Sequence, residues 1–203
     1  MPGGYVNPEA AVKMQGLEHQ TVLILGLGTS GLSMARWCAR QGAQVVVADT
    51  REQPPQLQAL HSAVPQARFM AGAFSADLLQ ATGARAVFRS PGLSPMQVSS
   101  VVDAARAAGL PVSSELGLFV QALASLKASR AYQPMVLAVT GTNGKTTVTH
   151  LLRHCLAADG RNVGLLGTIA YEYGGRRLPA TNTTPDPVRL QGYLREMVDR
   201  GCN

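Results

Sequence analysis

The chain has 203 residues, 46% of them hydrophobic and 15% charged, with 21 Gly, 12 Pro and three Cys. That composition supports a sizeable buried core and excludes wholesale disorder. No apolar run reaches the roughly 18–20 residues that cross a bilayer, and Met1-Pro2-Gly3-Gly4-Tyr5 lacks the basic cluster and apolar stretch of a signal peptide. A cytoplasmic protein with no membrane partner is therefore expected. The net charge of +6 suits an anionic ligand. The Arg residues are scattered and stacking aromatics are few, which favours a small phosphorylated molecule over nucleic acid. Cys38, Cys155 and Cys202 have no metal-ligand spacing. Cys38 and Cys155 fall inside helical patterns and read as buried free thiols.

Residues 1–18 carry no period and read as an arm. A short apolar strand is expected at 21–25, then glycines, a helix over 30–40 ended by Gly42, and a second buried strand at 44–49. Further strands are predicted at 67–70, 85–89 and 111–113, with helices at 56–62, 97–108 and 115–126. Such alternation implies a parallel sheet covered on both faces, a Rossmann-like domain over 19–128. The polar stretch from Lys127 to Pro134 reads as a linker, placed at 129–134. A second unit, 135–203, is expected to open with a buried strand at 135–139. A Gly-rich turn, a helix ending near Ala158, a strand at 162–166, a Gly/Pro/Thr-rich loop and an amphipathic helix at 187–200 follow. The overall class is α/β: a Rossmann-like domain followed by the incomplete start of a P-loop domain.

Two glycine clusters carry the chemistry. Gly26-Leu27-Gly28-Thr29-Ser30-Gly31 is a complete G-x-G-x-x-G between a strand and a helix. Gly26 permits the tight turn, Gly28 lets an anion approach the backbone, and Gly31 lets the helix pack close to the sheet. Asp49 ends the next strand, where an acid accepts a ribose hydroxyl or a base N–H. The pattern alone also admits NAD, and Arg51 admits a 2′-phosphate and hence NADP. Glycines used for packing alone are the bland alternative. The second cluster is Thr140-Gly141-Thr142-Asn143-Gly144-Lys145-Thr146-Thr147. It departs from the strict G-x-x-x-x-G-K-[ST] loop at Val139, yet its residues suit a nucleoside triphosphate. Backbone N–H groups would surround the phosphates, Lys145 would reach the β/γ oxygens as the catalytic cation, and Thr146 would offer a hydroxyl to Mg²⁺. His150 and His154 lie one helical turn apart without a third ligand, so packing or solvated histidines are expected there.

These residues resemble the Mur ligases, which build the peptide stem of the cell-wall precursor. Gly141-Thr142-Asn143-Gly144-Lys145-Thr146-Thr147 is similar to that family's ATP loop. Gly26 to Gly31, Asp49-Thr50-Arg51, Ser90-Pro91-Gly92-Leu93 and Glu115-Leu116 resemble the N-terminal domain of its D-glutamate-adding branch. The resemblance implies that the first domain holds UDP of the substrate rather than NAD. Gly28, Thr29, Ser30 and Gly31 would lie at the pyrophosphate, Asp49, Thr50 and Arg51 at the uridine, and Ser90, Pro91 and Gly92 beside the nucleotide. The later segment Asn182-Thr183-Thr184-Pro185-Asp186 is more similar to the branch that adds the third stem residue, where it would contact the muramoyl peptide. A turn before the last helix explains that segment equally well. The implied activity is ATP- and Mg²⁺-dependent amide formation between a UDP-N-acetylmuramoyl-peptide and an amino acid, by a monomer, through an acyl phosphate. An NAD(P) oxidoreductase and a UDP- or ATP-binding module without chemistry remain the alternatives. No carboxylate after Thr146 closes a buried strand, so these 203 residues are expected to be a fragment that does not ligate, with a small second sheet and an open apolar edge.

Overall fold

The computed structural model describes residues 16–130, 135–139, 143–180, 185 and 187–203. The chain divides into two compact units, Met1–Ser125 and Leu126–Asn203.

The first unit is built on a five-stranded parallel sheet of order β3-β2-β1-β4-β5. Its strands are β1 (Thr21–Leu25), β2 (Gln44–Asp49), β3 (Arg68–Ala71), β4 (Ala86–Arg89) and β5 (Val112–Ser114). The connecting helices are α1 (Thr29–Arg40), α2 (Leu57–Ala63), α3 (Asp77–Thr82) and α4 (Pro95–Ala107), and α5 (Glu115–Arg130) follows β5. β1 lies at the centre, paired in parallel with β2 and β4. Its residues Val22 to Leu25 are completely buried, because both faces of a central parallel strand are covered. Alternate side chains serve different cores. Val22 and Ile24 pack with Met34, Ala35 and Cys38 of α1 and Leu60 of α2. Leu23 and Leu25 pack with Phe74 and with Val98, Val101 and Ala105 of α4. Phe88 is fully enclosed in the first of these cores. Phe88→Ala is expected to cost about 3–5 kcal/mol, read as a lower denaturant midpoint at unchanged m-value.

The strand–helix alternation agrees with expectation, with strand limits shifted by one residue at β3, β4 and β5. Three differences have physical causes. α3 was not expected, since a six-residue helix shows no apolar period. α4 starts two residues early, at Pro95, because Ser94 caps it. The Gln97 N–H donates to Ser94 Oγ (3.3 Å) and the Ser94 N–H to Gln97 Oε1 (2.9 Å), with Pro at the first helical position. α5 runs on to Arg130, through residues read as linker, because Lys, Ala and Arg are good helix formers whatever their polarity. Residues 131–134 of that linker, and 1–15 of the arm, lie outside the described residues.

The second unit holds α6 (Lys145–Ala158), a three-stranded antiparallel sheet and α7 (Pro187–Asp199). The sheet runs β6 (Leu165–Leu166), β7 (Ala170–Tyr173) and β8 (Arg176–Pro179). β7 and β8 form a hairpin over Gly174-Gly175, both with positive φ (50° and 77°), as a two-residue turn of this hand requires. Tyr171 and Tyr173 are buried with Met197 and Cys202, and the Tyr171 ring packs against Tyr193 tilted by 52°, centroids 4.9 Å apart. The expected loop there is thus half hairpin, and the Gly-Gly pair after Tyr171-Glu172-Tyr173 is its sequence signal.

The buried strand expected at 135–139 is not formed. Met135, Val136 and Leu137 are exposed and join no ladder among the described residues. A buried parallel strand needs neighbours on both sides, and the described sheet of this unit is a three-stranded antiparallel one that does not pair with this segment. The strand expected at 162–166 shrinks to Leu165–Leu166 for the same reason. Val148, Leu151 and Leu152 of α6 are also exposed, so an open apolar face accompanies the small sheet. Cys155 corrects the sequence reading. It is exposed, because α6 has no buried residue, whereas Cys38 and Cys202 are buried. Burial pushes the Cys38 thiol up to about 12.

Candidate nucleotide-binding loops

The first candidate site stands at the carboxyl ends of β2, β1 and β4, three adjacent strands. The chain winds to one side of the sheet through β1, β2 and β3 and to the other through β4 and β5. The β1/β4 border is therefore the switch point, where open α/β sheets bind ligands.

Each glycine of the first loop has a distinct reason. Gly26 leaves β1 with φ +87° and donates its N–H to the Ala48 carbonyl at 2.7 Å. A Cβ on Gly31 would stand 1.9 Å from the Gly26 carbonyl oxygen, so only glycine fits. The Ser90 hydroxyl donates to that same carbonyl at 2.9 Å, tying the loop after β4 to the loop after β1. Gly28 is different. It caps α1 in an extended conformation, and a Cβ there would meet nothing within 4 Å. α1 has neither a side-chain cap nor an acid in its first turn, so its positive end faces the open space above Gly28 beside exposed Thr29 and half-buried Ser30. That space suits a phosphate group.

Asp49, at the end of β2, is buried. Its Oδ2 accepts the Leu27 N–H (2.7 Å), and Arg51 donates to both of its oxygens. Burial alone would raise this carboxyl, but the hydrogen bonds from Arg51 and Leu27 outweigh it and hold the pKa at about 2. Thr50 and Arg51 are exposed beside it, as are Pro91 and Gly92 beyond buried Ser90. The first-domain residues singled out for nucleotide binding, Gly28 to Gly31, Asp49 to Arg51 and Ser90 to Gly92, thus lie on this one edge of the sheet. The Leu27 amide was missed, since a backbone group leaves no mark in a sequence. Its only sequence signal is Asp49, set at the end of the neighbouring strand.

In the second candidate loop, Gly141 and Thr142 lie outside the described residues, as do Asn182, Thr183 and Thr184; Pro185 is buried. Asn143 and Gly144 are exposed, and Gly144 caps α6 with φ +76°. Lys145 and Thr146 are half-buried in the first turn of α6, with Thr147 exposed beside them; that turn holds no acid, and among the described residues no side chain caps it. The donor set fits a phosphate chain. For a metal ion the Thr146 hydroxyl is the candidate donor among the described residues of this loop. Among the described residues of this unit every carboxylate is engaged: Glu172 with Arg153 and Arg177, Glu196 with Tyr173 and Arg176, Asp199 with Arg195, and Asp159 with Arg161.

Comparison with known proteins assigns both halves to one family. Residues 20–114 match the Mur ligase MurD-like N-terminal domain, and residues 139–203 match the Mur ligase middle domain. The chain belongs to the Mur ligase family. It is 58% identical over 156 residues to the UDP-N-acetylmuramoylalanine–D-glutamate ligase of Albidiferax ferrireducens, a match covering 77% of this chain and 31% of that one. It is 52% identical over 151 residues to the ligase of the same name from Ralstonia nicotianae, covering 73% and 30%. This Mur ligase chain therefore spans about a third of the length of these relatives. Among solved structures it is similar to the UDP-N-acetylmuramate:L-alanyl-gamma-D-glutamyl-meso-diaminopimelate ligase from Neisseria meningitides. The two are 24% identical, with a TM-score of 0.42 and coverage of 83% of this chain and 49% of that one. Among the described residues no helix is long and apolar enough to cross a membrane.

Proposed function

We propose that this chain carries the nucleotide-binding part of a cytoplasmic, monomeric ligase that joins D-glutamate to UDP-N-acetylmuramoyl-L-alanine, a step of peptidoglycan precursor synthesis. The observation that carries the reading is the open space over Gly28 at the β1/β4 switch point, in a sequence whose D-glutamate-ligase relatives reach 58% identity. The UDP pyrophosphate lies over Gly28, Thr29 and Ser30, with Gly31 holding α1 against the turn. Its uridine lies toward Thr50 and Arg51, and Ser90, Pro91 and Gly92 form the opposite wall. An NAD enzyme with this loop needs an acceptor for the ribose at the end of β2. Asp49 is already engaged by Leu27 and Arg51, which favours UDP over a dinucleotide.

In the second unit Gly141, Thr142, Asn143, Gly144, Lys145, Thr146 and Thr147 hold ATP. Lys145 neutralises charge on the transferring phosphoryl group, and the Thr146 hydroxyl is the group that meets Mg²⁺. Mg²⁺, when bound, supplies further charge neutralisation at the phosphates. The substrate carboxylate attacks the γ-phosphorus as the bond to ADP breaks. The amino acid's amine then attacks the acyl carbon, and phosphate leaves. Positioning and charge neutralisation are what such a transfer requires of the protein. The described carboxylates of this unit are engaged with arginines or Tyr173, which supports the reading that these 203 residues bind nucleotides without completing the ligation. The segment Asn182-Thr183-Thr184, resembling the third-residue-adding branch, supports a second reading in which that branch's amino acid is added.

Gly28→Val separates the two sites. The extended backbone at Gly28 accepts valine without strain, while its side chain fills the proposed pyrophosphate space. Titration of the chain is expected to show UDP binding lost and ATP binding retained. Loss of both ligands together contradicts the two-site assignment.

A further inference from the structure

Arg89 is the last residue of β4, set between fully enclosed Phe88 and buried Ser90, and is itself half-buried. Among the described residues its guanidinium makes no hydrogen bond and no ion pair. Glu115 opens α5 directly after Ser114, the register partner of Arg89, and still forms no pair with it. Arg36 is half-buried without a partner too, but it lies in the middle of α1, away from the carboxyl edge of the sheet. A guanidinium has only donors to offer, and holding them unmet in a partly dry site costs free energy that an anion removes.

The fold says where that anion stands. α1 packs on one face of the sheet with Val22 and Ile24, and α4 on the other with Leu23 and Leu25. The β1–α1 turn and the β4–α4 loop therefore part to opposite faces, and a crevice opens between them. The Ser90 hydroxyl, donating to the Gly26 carbonyl at 2.9 Å, closes its floor. One wall carries the uncapped N-terminus of α1. The other wall has no free helix terminus, because Ser94 and Gln97 cap α4 and Pro95 opens it. The cation of that wall is Arg89. It is in register with Leu25 of β1, one strand spacing of about 4.8 Å away. Its side chain stands on the α4 face, since Val87, two residues back, packs in that core.

We propose that Arg89 is a further phosphate-binding residue: it holds the second phosphate of UDP from the wall opposite α1, while the α1 terminus holds the first. The inference rests on the UDP reading above, in which the ligand runs along the edge from β2 across β1 toward β4. A helix terminus carries only about half a unit of positive charge, less than two phosphates require. A guanidinium supplies the rest and matches a phosphate with two parallel N–H bonds.

The test compares UDP with UMP, which lacks the second phosphate, by calorimetry on the 203-residue chain, with thermal melting as the check on folding. The wild-type chain is expected to bind UDP about tenfold or more tightly than UMP, as one charge-assisted contact provides. Arg89→Met keeps the apolar stem and removes the charge. It is expected to weaken UDP about tenfold while UMP affinity stays within about twofold and melting is unchanged. Arg89→Gln, a second neutral variant, is expected to do the same and keeps the outcome readable should methionine disturb the fold. Unchanged UDP affinity in the folded neutral variants overturns the proposal. So does an equal loss of UDP and UMP, which would place Arg89 in the scaffold of the loop. A wild-type chain silent to UDP overturns the ligand reading itself, a result distinct from both.

Discussion

Gly31→Ala is expected to be the most damaging single-methyl change in the first unit, costing about 3 kcal/mol or more and lowering the melting temperature by roughly 10 °C or beyond. The added Cβ would stand 1.9 Å from the Gly26 carbonyl oxygen and 3.2 Å from Ser90 Oγ. Neither atom has freedom to move. The Gly26 carbonyl already accepts the Ser90 hydroxyl, and the Ser90 and Gly26 amides are bonded to Leu25 and Ala48 of the central strands. Relief would require α1 to lift from the sheet, uncovering Met34, Ala35 and Cys38 in the core it shares with β1. Differential scanning calorimetry reads the effect directly. The contrast with Gly28 sharpens it: two glycines three residues apart respond oppositely, one losing the fold and the other only the ligand. A Gly31→Ala chain as stable as wild type would refute the close packing of α1 on the Gly26 turn.

Lys145→Ala is expected to remove ATP binding, with at least a hundredfold loss of affinity or of any turnover, because the triphosphate loses its cation in the first turn of α6. The helix terminus remains, with Gly144 at positive φ and no competing acid, so residual weak phosphate binding is expected. The first unit is untouched, and UDP affinity should not change. A fluorescent ATP analogue and UDP calorimetry on the same preparation measure both. ATP affinity within threefold of wild type would remove Lys145 from the proposed site.

The first unit was far more legible than the second, for a reason visible in particular residues. Val22 to Leu25 and Val45 to Ala48 are short apolar runs whose burial does not depend on fine geometry, and parallel neighbours supply it. Gly26 and Gly31 announce themselves because no other residue fits the turn and the helix contact. Met135 to Val139 is the same kind of run, yet Met135, Val136 and Leu137 stay exposed. An apolar run specifies a strand only where flanking strands exist to pair with it, and local pattern carries no information about partners. The Ala170–Tyr173 hairpin reversed the error: Gly174-Gly175 marks a turn, but Gly, Pro and Thr nearby mask it as loop. At the site, residue identities were readable and their connections were not. Asp49 could be named from its place after a strand, whereas its bonds to Leu27 and Arg51 arise only once β1 and β2 are side by side.

The central claim is that the Gly26–Gly31 turn serves UDP rather than a nicotinamide dinucleotide. Calorimetric titration of the 203-residue chain with UDP and, separately, with NADH tests it most directly. The account predicts saturable one-site heat with UDP, abolished by Gly28→Val, and no binding of NADH. Tight NADH binding with UDP silent would contradict it.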